Sequence, residues 1–324
     1  MEKFTWKASE PQTYDKKYGT QTVTQDSFNK NTDTVFTMHA PDCTLTLNPT
    51  LASYWPEGDD GRCEIEISRG TLIYNFLPDN QNLLQIGTDK GPEMTSLDIE
   101  STFKISDNTG QQFCRAYFFF AETKVYGENG ELLITGDHTD VAMLNSSLSL
   151  HDTSHVQSES QNFSGGASKI DLYDQSRMDM LAAYMSAEDG DFEVSLYDSA
   201  ELAIKAEAIG ADNVNRLVFN LAGESAKLAF MPAKDAPPFD FTRPRKPENF
   251  NLITFNFTGA DGETNNSEIT FEGYPGRDLN KQKDALLANG FLSYNGEVIT
   301  DKDQKIFTLY ASQFTGRIEV SLRE

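Results

Sequence analysis

The chain has 324 residues, of which 50 are Asp or Glu and 27 are Lys or Arg, and its formal net charge is −23. An excess of carboxylates this large argues against a general nucleic-acid binder, because binding phosphates requires a concentrated basic surface. The hydrophobic content of 38% and the 22 phenylalanines exclude a disordered acidic chain, which would lack the apolar surface needed to offset the entropy of folding. We therefore expect a folded protein without sequence-specific binding to nucleic acid.

The N-terminal segment from Met1 to Lys30 contains no apolar run of the length that a signal peptide needs, and no later stretch is long enough to cross a bilayer. We expect synthesis in the cytoplasm without a signal peptide, and no membrane among the partners. Cys43, Cys63 and Cys114 form no C-x-x-C pair, so the sequence predicts neither a disulfide framework nor a structural zinc site.

Apolar and polar residues alternate along many segments, as they do in strands with one buried face. Dipeptides that tolerate positive φ, such as Asn129-Gly130 and Asp189-Gly190, lie between these segments and are typical of tight hairpin turns. The pattern predicts a mainly β protein built of antiparallel hairpins, with strands at 63–68, 97–106, 112–120, 192–197 and 251–257.

Two segments have helical spacing. Residues 278–290 begin with Asp278, a suitable N-cap, and end with Gly290, a suitable stop. Residues 174–188 carry Met178 and Met185 among apolar residues at helical intervals, which predicts a second helix.

A stretch rich in Ser, Gly and His at 151–168 is typical of a linker or mobile loop, and we place a domain boundary there. The proline-rich residues 231–250 are a rival boundary. We expect two antiparallel β-sandwich or β-barrel domains, at 1–150 and 169–324. Short matching segments in the two halves suggest a duplicated unit with one inserted helix near 278–290.

Candidate catalytic residues are few. Arg115 and Tyr117 are two residues apart on a predicted strand and therefore share a face, and Glu122 follows nearby. An arginine and a tyrosine in an apolar pocket would form a polar centre, although a structural cross-strand pair is the preferred interpretation. Common nucleophile, metalloprotease and phosphate-loop motifs are absent from the sequence.

Histidines and carboxylates gather in two short segments, and such ligands suit a divalent cation. The H-x-x-x-H spacing organises a site on a helix, but the Ser-rich surroundings are not helical, so solvated loop histidines remain the alternative. A glycine turn with several carboxylates adds two more candidates, since calcium loops have this composition. The candidate ligands are His138, Asp140, His151, His155, Asp189 and Asp191, and no other cofactor is predicted.

The proline-rich segment 231–250 also concentrates positive charge on an acidic molecule, at Arg243, Arg245 and Lys246. We expect this loop to dock on an acidic surface, either of its own chain or of a neighbouring subunit.

The preferred hypothesis is a non-catalytic structural or binding protein, a subunit of a homo-oligomer or larger assembly such as a virion or tail-like tube. The alternative is a β-barrel enzyme, a cyclase, isomerase or lyase, that acts on a small apolar molecule.

Overall fold

The computed structural model describes residues 1–58, 61–88, 93–110, 112–211, 214–234, 237–243, 252–259, 265–274, 277–301 and 305–323. Strands make up 56% of the chain and helix 4%. No helix among these residues is long and apolar enough to cross a membrane. Contacts divide the chain into two compact units, Met1–Phe163 and Ser164–Glu324.

The first unit consists of strands and one short 3₁₀ turn, Lys16–Tyr18, with β14 running on across the boundary between the units. The strands are β1 (Gln12–Asp15), β2 (Gln21–Gln25), β3 (Val35–Pro49), β4 (Ser53–Trp55), β5 (Glu64–Phe76), β6 (Leu83–Gly87), β7 (Thr95–Ile99), β8 (Thr102–Asp107), β9 (Cys114–Phe119), β10 (Ala121–Val125), β11 (Glu131–Thr135), β12 (Thr139–Leu144), β13 (Ser147–Leu150) and β14 (His155–Gly166).

The strands of this unit pair in parallel along three faces, and successive coils of the chain add one strand segment to a face. Face A contains β1, the first halves of β3 and β5, and then β7, β10 and β13. Face B contains β2, the second halves of β3 and β5, and then β8, β11 and β14. Face C contains β4, β6, β9 and β12.

One coil of the chain runs from Gln12 to its pairing partner Phe36, and a later coil of equal length runs from Glu131 to His155. Side chains alternate along each strand, so one row points into the coil and is buried while the other points outward. The inward rows carry large apolar side chains, and stacked aromatic rings such as Trp55 and Phe103, 5.9 Å apart, fill the interior.

The N-terminal segment covers the first coil of this unit. The Trp6 ring is buried there, and beneath it the side chain of Lys30 is completely inaccessible to solvent. The Lys30 Nζ donates to the carbonyl oxygens of Lys7 and Glu10, both at 3.0 Å, and to Gln12 Oε1 at 3.2 Å. It also lies 4.9 Å from the centre of the Trp6 ring. A buried cation therefore fastens the covering segment to the coil.

The second unit continues with parallel strands and ends with antiparallel ones. Its elements are β15 (Ser168–Leu172), β16 (Arg177–Ala187), β17 (Phe192–Leu196), β18 (Glu201–Ala211), β19 (Leu217–Leu221), β20 (Lys227–Pro232), β21 (Ile253–Phe257), β22 (Glu268–Phe271), α1 (Leu279–Ala288), β23 (Leu292–Tyr294), β24 (Glu297–Val298), β25 (Phe307–Ser312) and β26 (Arg317–Leu322).

One face of this unit, face D, stacks β15, β17, β19, β21 and β23 in parallel. Equivalent outward positions on face D carry a ladder of hydrogen-bonded side chains. Asn220 Nδ2 donates to Ser195 Oγ at 3.2 Å, Asn256 Nδ2 to Asn220 Oδ1 at 2.9 Å, and Ser293 Oγ to Asn256 Oδ1 at 2.9 Å. The ladder satisfies polar side chains that packing removes from solvent.

The other main face, face E, stacks β16, β18, β20 and β22 in parallel. The strand direction on this face then reverses, because β26 pairs antiparallel with β22 and β25 pairs antiparallel with β26. The interior beside these last strands is a cluster of phenylalanine rings, in which Phe230 stacks on Phe271 at 5.3 Å and Phe239 meets Phe255 at 5.6 Å.

The prediction of two antiparallel β-sandwich or β-barrel domains is wrong, because in each unit the strands wind in successive coils that pair mainly in parallel, as in a β-solenoid. Alternation marks one buried face in either arrangement and does not reveal which strand lies alongside. Asp189 and Gly190 do have positive φ, but they form a corner between β16 and β17, which lie on different faces. Most strands therefore pair with a strand one coil away instead of with their neighbour in sequence.

The helix expected near 278–290 is confirmed as α1, and the Asp278 side chain accepts from the Lys281 N–H at 3.1 Å. The helix expected at 174–188 is wrong, since these residues form β16. Met178, Met180 and Ala182 are buried at alternate positions, and a strand that bends at a corner also yields apolar residues at nearly helical intervals. The stretch 151–168 contains β14 and the start of β15.

The buried Lys30 predicts a specific pH dependence of stability. Burial lowers its pKa from 10.5 to about 8, so between pH 8 and pH 10 the unfolded chain binds more protons at Lys30 than the folded one does. Stability contributed by this residue therefore rises with pH in that window. We expect the free energy of unfolding of the wild type, minus that of Lys30→Met, to increase by roughly 1–2 kcal/mol from pH 8 to pH 10.

Urea titrations of both proteins at pH 7, 8, 9 and 10 measure this difference. Lys205→Met, which removes a lysine from an exposed position of β18, is the matched control. A constant difference between wild type and Lys30→Met across the window would contradict the prediction.

Candidate functional site

A groove runs along the corner between faces A and B of the first unit, and its shape follows from unequal bends in successive coils. In β3 the pairing jumps from His39 opposite Arg69 to Thr44 opposite Thr71, so the first bend is three residues longer than the next. The bend after β7 is also short, whereas the bend between β10 and β11 takes five residues. Two long bends therefore flank two short ones.

The long bends form the walls of this corner groove and the short bends form its floor. Residues 41–44 and 127–129 line the two walls, and residues 68–71 and 100–102 line the floor. The groove is open to solvent and has a volume of about 660 Å³. This volume lies within the range of small-molecule sites.

Gly70 holds the floor close to the first wall. Its φ is +97°, and a Cβ at this position would meet the carbonyl oxygen of Ala40 and lie 2.9 Å from that of Cys43. The Ser101 hydroxyl donates to the Gly70 carbonyl at 2.7 Å, which ties the two floor bends together. Only glycine satisfies both the backbone conformation and the space.

The groove is lined mainly by polar groups. On the floor, the Ser68 hydroxyl donates to the Met38 carbonyl at 3.2 Å and lies 3.0 Å from His39 Nδ1. The Thr102 hydroxyl donates to Glu131 Oε2 at 3.3 Å. Arg69 is exposed and forms no ion pair within the part of the chain that the structure describes. The carboxylates of the lining belong to Asp42, Glu100 and Glu128.

A negative field surrounds the groove. The pKa of Tyr126, beside one wall, is raised first by burial and then by the nearby charges of Asp98, Glu100 and Glu66. On face A, Glu66 lies directly opposite Asp98 on the neighbouring strand. Burial is the main cause that raises the pKa of Asp98; Lys124 opposes this rise, and the neighbouring glutamates add to it. Adjacent like charges of this kind weaken strand pairing.

Arg115 and Tyr117 lie on the same side of β9, as the sequence predicts, and this side is the outer surface of face C. Arg115 is opposite Asp140, and its guanidinium lies 5.0 Å from the Phe113 ring centre. The pKa of Tyr117 is raised, mainly by burial. The charge of Arg115 opposes this rise, and the charge of Asp140 adds to it. Glu122 lies on β10 of face A and pairs with Lys124 at 3.1 Å, so it does not join the other two.

The candidate metal ligands of the first unit fall at two corners, one at the start of β12 and one between β13 and β14. His138 precedes β12, where Asp140 accepts from Asn162 Nδ2 at 2.7 Å. His151 follows β13, and His155 begins β14 opposite Glu131.

In the second unit Asp189 occupies a turn, and Asp191 forms an ion pair with Arg216. Burial opposes ionisation of Asp191, but the hydrogen bond from Arg216 is the larger effect and lowers its pKa. Across both units, no group of three or more His, Cys, Asp or Glu in the described ranges is placed to hold a metal ion.

Part of the proline-rich segment packs into the core instead of lying on the surface. Phe239 and Phe241 are buried, and Arg243 is exposed with its Nε 3.7 Å from Asp240 Oδ2. Arg245 and Lys246 lie outside the described residues.

Sequence reasoning missed Arg69 and the corner groove. A signal was present, because Gly70 interrupts the alternation of residues 63–68 and an isolated glycine in a strand pattern marks a bulge or a close backbone approach. Comparison with known proteins finds no matching family model, curated protein or solved structure.

The close approach at Gly70 predicts a large effect of adding one methyl group. We expect Gly70→Ala to lower the melting temperature by at least about 3 °C more than Gly110→Ala, measured by differential scanning calorimetry. Gly110 is the matched control because its φ is +84° but a Cβ there would meet nothing within 4 Å. Equal effects of the two substitutions would show that Gly70 is held by its φ alone.

Proposed function

We propose that the protein is a non-catalytic binding protein whose corner groove holds a neutral, polyhydroxylated chain, such as a segment of an oligosaccharide. The observation that carries this proposal is the 660 Å³ polar groove with Arg69, which has no ion-pair partner among the described residues, on its floor. An arginine offers five N–H donors in a fixed plane, and the surrounding hydroxyls and carboxylates supply acceptors. Sugar hydroxyls, which both donate and accept, match this mixed lining.

Charge favours a neutral ligand over an anionic one. Asp42, Glu100 and Glu128 outnumber Arg69 in the lining, and the whole chain carries −23. Phosphate or sulfate groups would be repelled by this field. The proposal therefore agrees with the expectation that nucleic acid is not a partner.

The groove spans several coils. Its walls belong to bends three coils apart, and parallel strands stack at about 4.8 Å, so the two walls lie about 14 Å apart along the stack with the two floor bends between them. Hydrogen-bonding groups recur on successive coils at this spacing, so an extended chain would contact several coils at once.

The enzyme alternative has less support. The interior of each unit is filled by the core side chains, and Arg115 and Tyr117 lie outside it on face C, away from Glu122 on face A. The enzyme alternative assumed a β-barrel with an internal cavity, and the prediction of a barrel fold is wrong. A role in a virion or tail-like tube stays a prediction.

Arg69 tests the proposal. We expect the wild type to bind at least one of the neutral cello-, xylo-, manno- or malto-oligosaccharides in isothermal titration calorimetry. Loss of the Arg69 guanidinium removes charge-assisted hydrogen bonds worth about 1.5–3 kcal/mol, so Arg69→Ser should bind that sugar roughly 10- to 100-fold more weakly.

Arg62→Ser is the matched control, since Arg62 is also exposed but lies before β5, outside the groove lining and beside Glu64 and Glu93. It should bind as tightly as the wild type. Absence of sugar binding at millimolar concentration, or equal binding by wild type and Arg69→Ser, would refute the proposal.

A further inference from the structure

The last strand of face E has an open backbone edge. β25 pairs with β26 on one side, from Phe307 opposite Leu322 to Ser312 opposite Arg317. No other described strand pairs with it. Every second backbone N–H and C=O of this strand therefore points away from the sheet, and such an edge is a template for another strand.

The composition of this edge differs from that of the rest of the chain. Residues 306–316 contain no charged residue and no proline, although 24% of the chain is charged. Natural edge strands that stay single are protected by lysine, proline or a covering element. Here Tyr310 is 56% exposed and Phe314, in the turn that follows, is fully exposed. The edge has the features of a strand that another strand covers.

A second copy of this chain suits the edge for two physical reasons. The first is charge: two chains of −23 repel each other, and an uncharged segment is where that repulsion between identical surfaces is weakest. The second is symmetry. Antiparallel pairing of β25 with its own copy about a two-fold axis places residues of the same parity opposite each other.

Because residues of the same parity lie opposite each other, side chains on one side of β25 meet only side chains on the same side of the other copy. With the axis at Tyr310, Thr308 of one copy lies opposite Ser312 of the other, and Leu309 lies opposite Ala311. The exposed side, which carries Thr308 and Tyr310, and the less exposed side, which carries Phe307 and Leu309, each continue across the pair.

We propose that two copies of the protein form a dimer by antiparallel pairing of their β25 strands about Tyr310. The proposal is independent of the sugar-binding groove, which lies in the first unit.

Sedimentation velocity on the wild type from 1 to 100 μM tests the dimer. We expect a dimer at the upper end of this range, and we expect Tyr310→Lys to remain monomeric because it places two ammonium groups opposite each other on the axis. Thr308→Lys, at an exposed position of the same strand, is the second variant; its lysine lies opposite Ser312 of the other copy, so it should weaken the dimer less than Tyr310→Lys does.

Tyr184→Lys is the matched control, because Tyr184 is 53% exposed on β16 and should leave the dimer intact. A circular dichroism spectrum and melting curve for each variant identify any that fails to fold. A monomeric wild type at 100 μM would overturn the proposal and leave the edge to a strand of another protein. A dimer that persists in both lysine variants of β25 would overturn it as well.

Cross-linking tests the register separately. In Tyr310→Cys the two new thiols face each other on the axis, at a Cα separation of about 4.5–5.5 Å that a disulfide can bridge. Oxidation should give a covalent dimer in Tyr310→Cys and far less in Ser312→Cys. The native cysteines are buried and do not compete. Equal cross-linking at both positions would contradict pairing about Tyr310.

Discussion

Parallel hydrogen bonding between successive coils is the interaction on which the rest of the structure depends. A strand such as β9, between β6 and β12, has both backbone edges satisfied, and its inward side chains join an apolar column that extends through the stack. The end strands of any such stack have only one neighbour, so stacking leaves an open core and an open edge at its ends. In the first unit, Trp6 and the buried Lys30 close the core. In the second, the phenylalanine cluster and α1 lie beside strands that reverse to antiparallel pairing.

Much of the local structure could be predicted from the sequence, and the arrangement of the strands could not. The alternation in residues 192–197 correctly indicates β17, and Asp278 correctly marks the start of α1. Alternation reports only that one side of a strand is buried. Pairing partners separated by a whole coil leave no local trace, since hairpin turns and coil corners use the same Asp-Gly and Asn-Gly dipeptides. The error at 174–188 has a similar origin, because the alternation of buried positions in β16 shifts by one residue between Ala182 and Met185 and thereby imitates helical spacing.

The candidate site shows the same division between local and non-local information. That Arg115 and Tyr117 share a face follows from their spacing along one strand. That they lie on an outer surface, opposite Asp140 and Gln85, depends on strands from other coils. Predicting the corner groove requires information from residues still farther apart in the sequence. Its two walls are bends on coils that are not neighbours, and its depth comes from the difference in length between these long bends and the short bends that lie between them. Gly70 alone could have drawn attention to this corner before the structure was known.

The separation of strands from bends gives the corner groove a particular capacity for evolutionary change. The strand pairing of β3 with β5 resumes at Thr44 and Thr71 after a bend of unequal length on the two sides, so the bend can gain or lose residues while the neighbouring registers stay fixed. Insertions and deletions in exposed connections of this kind are well tolerated. Residues 40–43 and 126–130 could therefore diversify the dimensions of the groove, and with them the ligand preference of the proposed sugar site, on an unchanged scaffold.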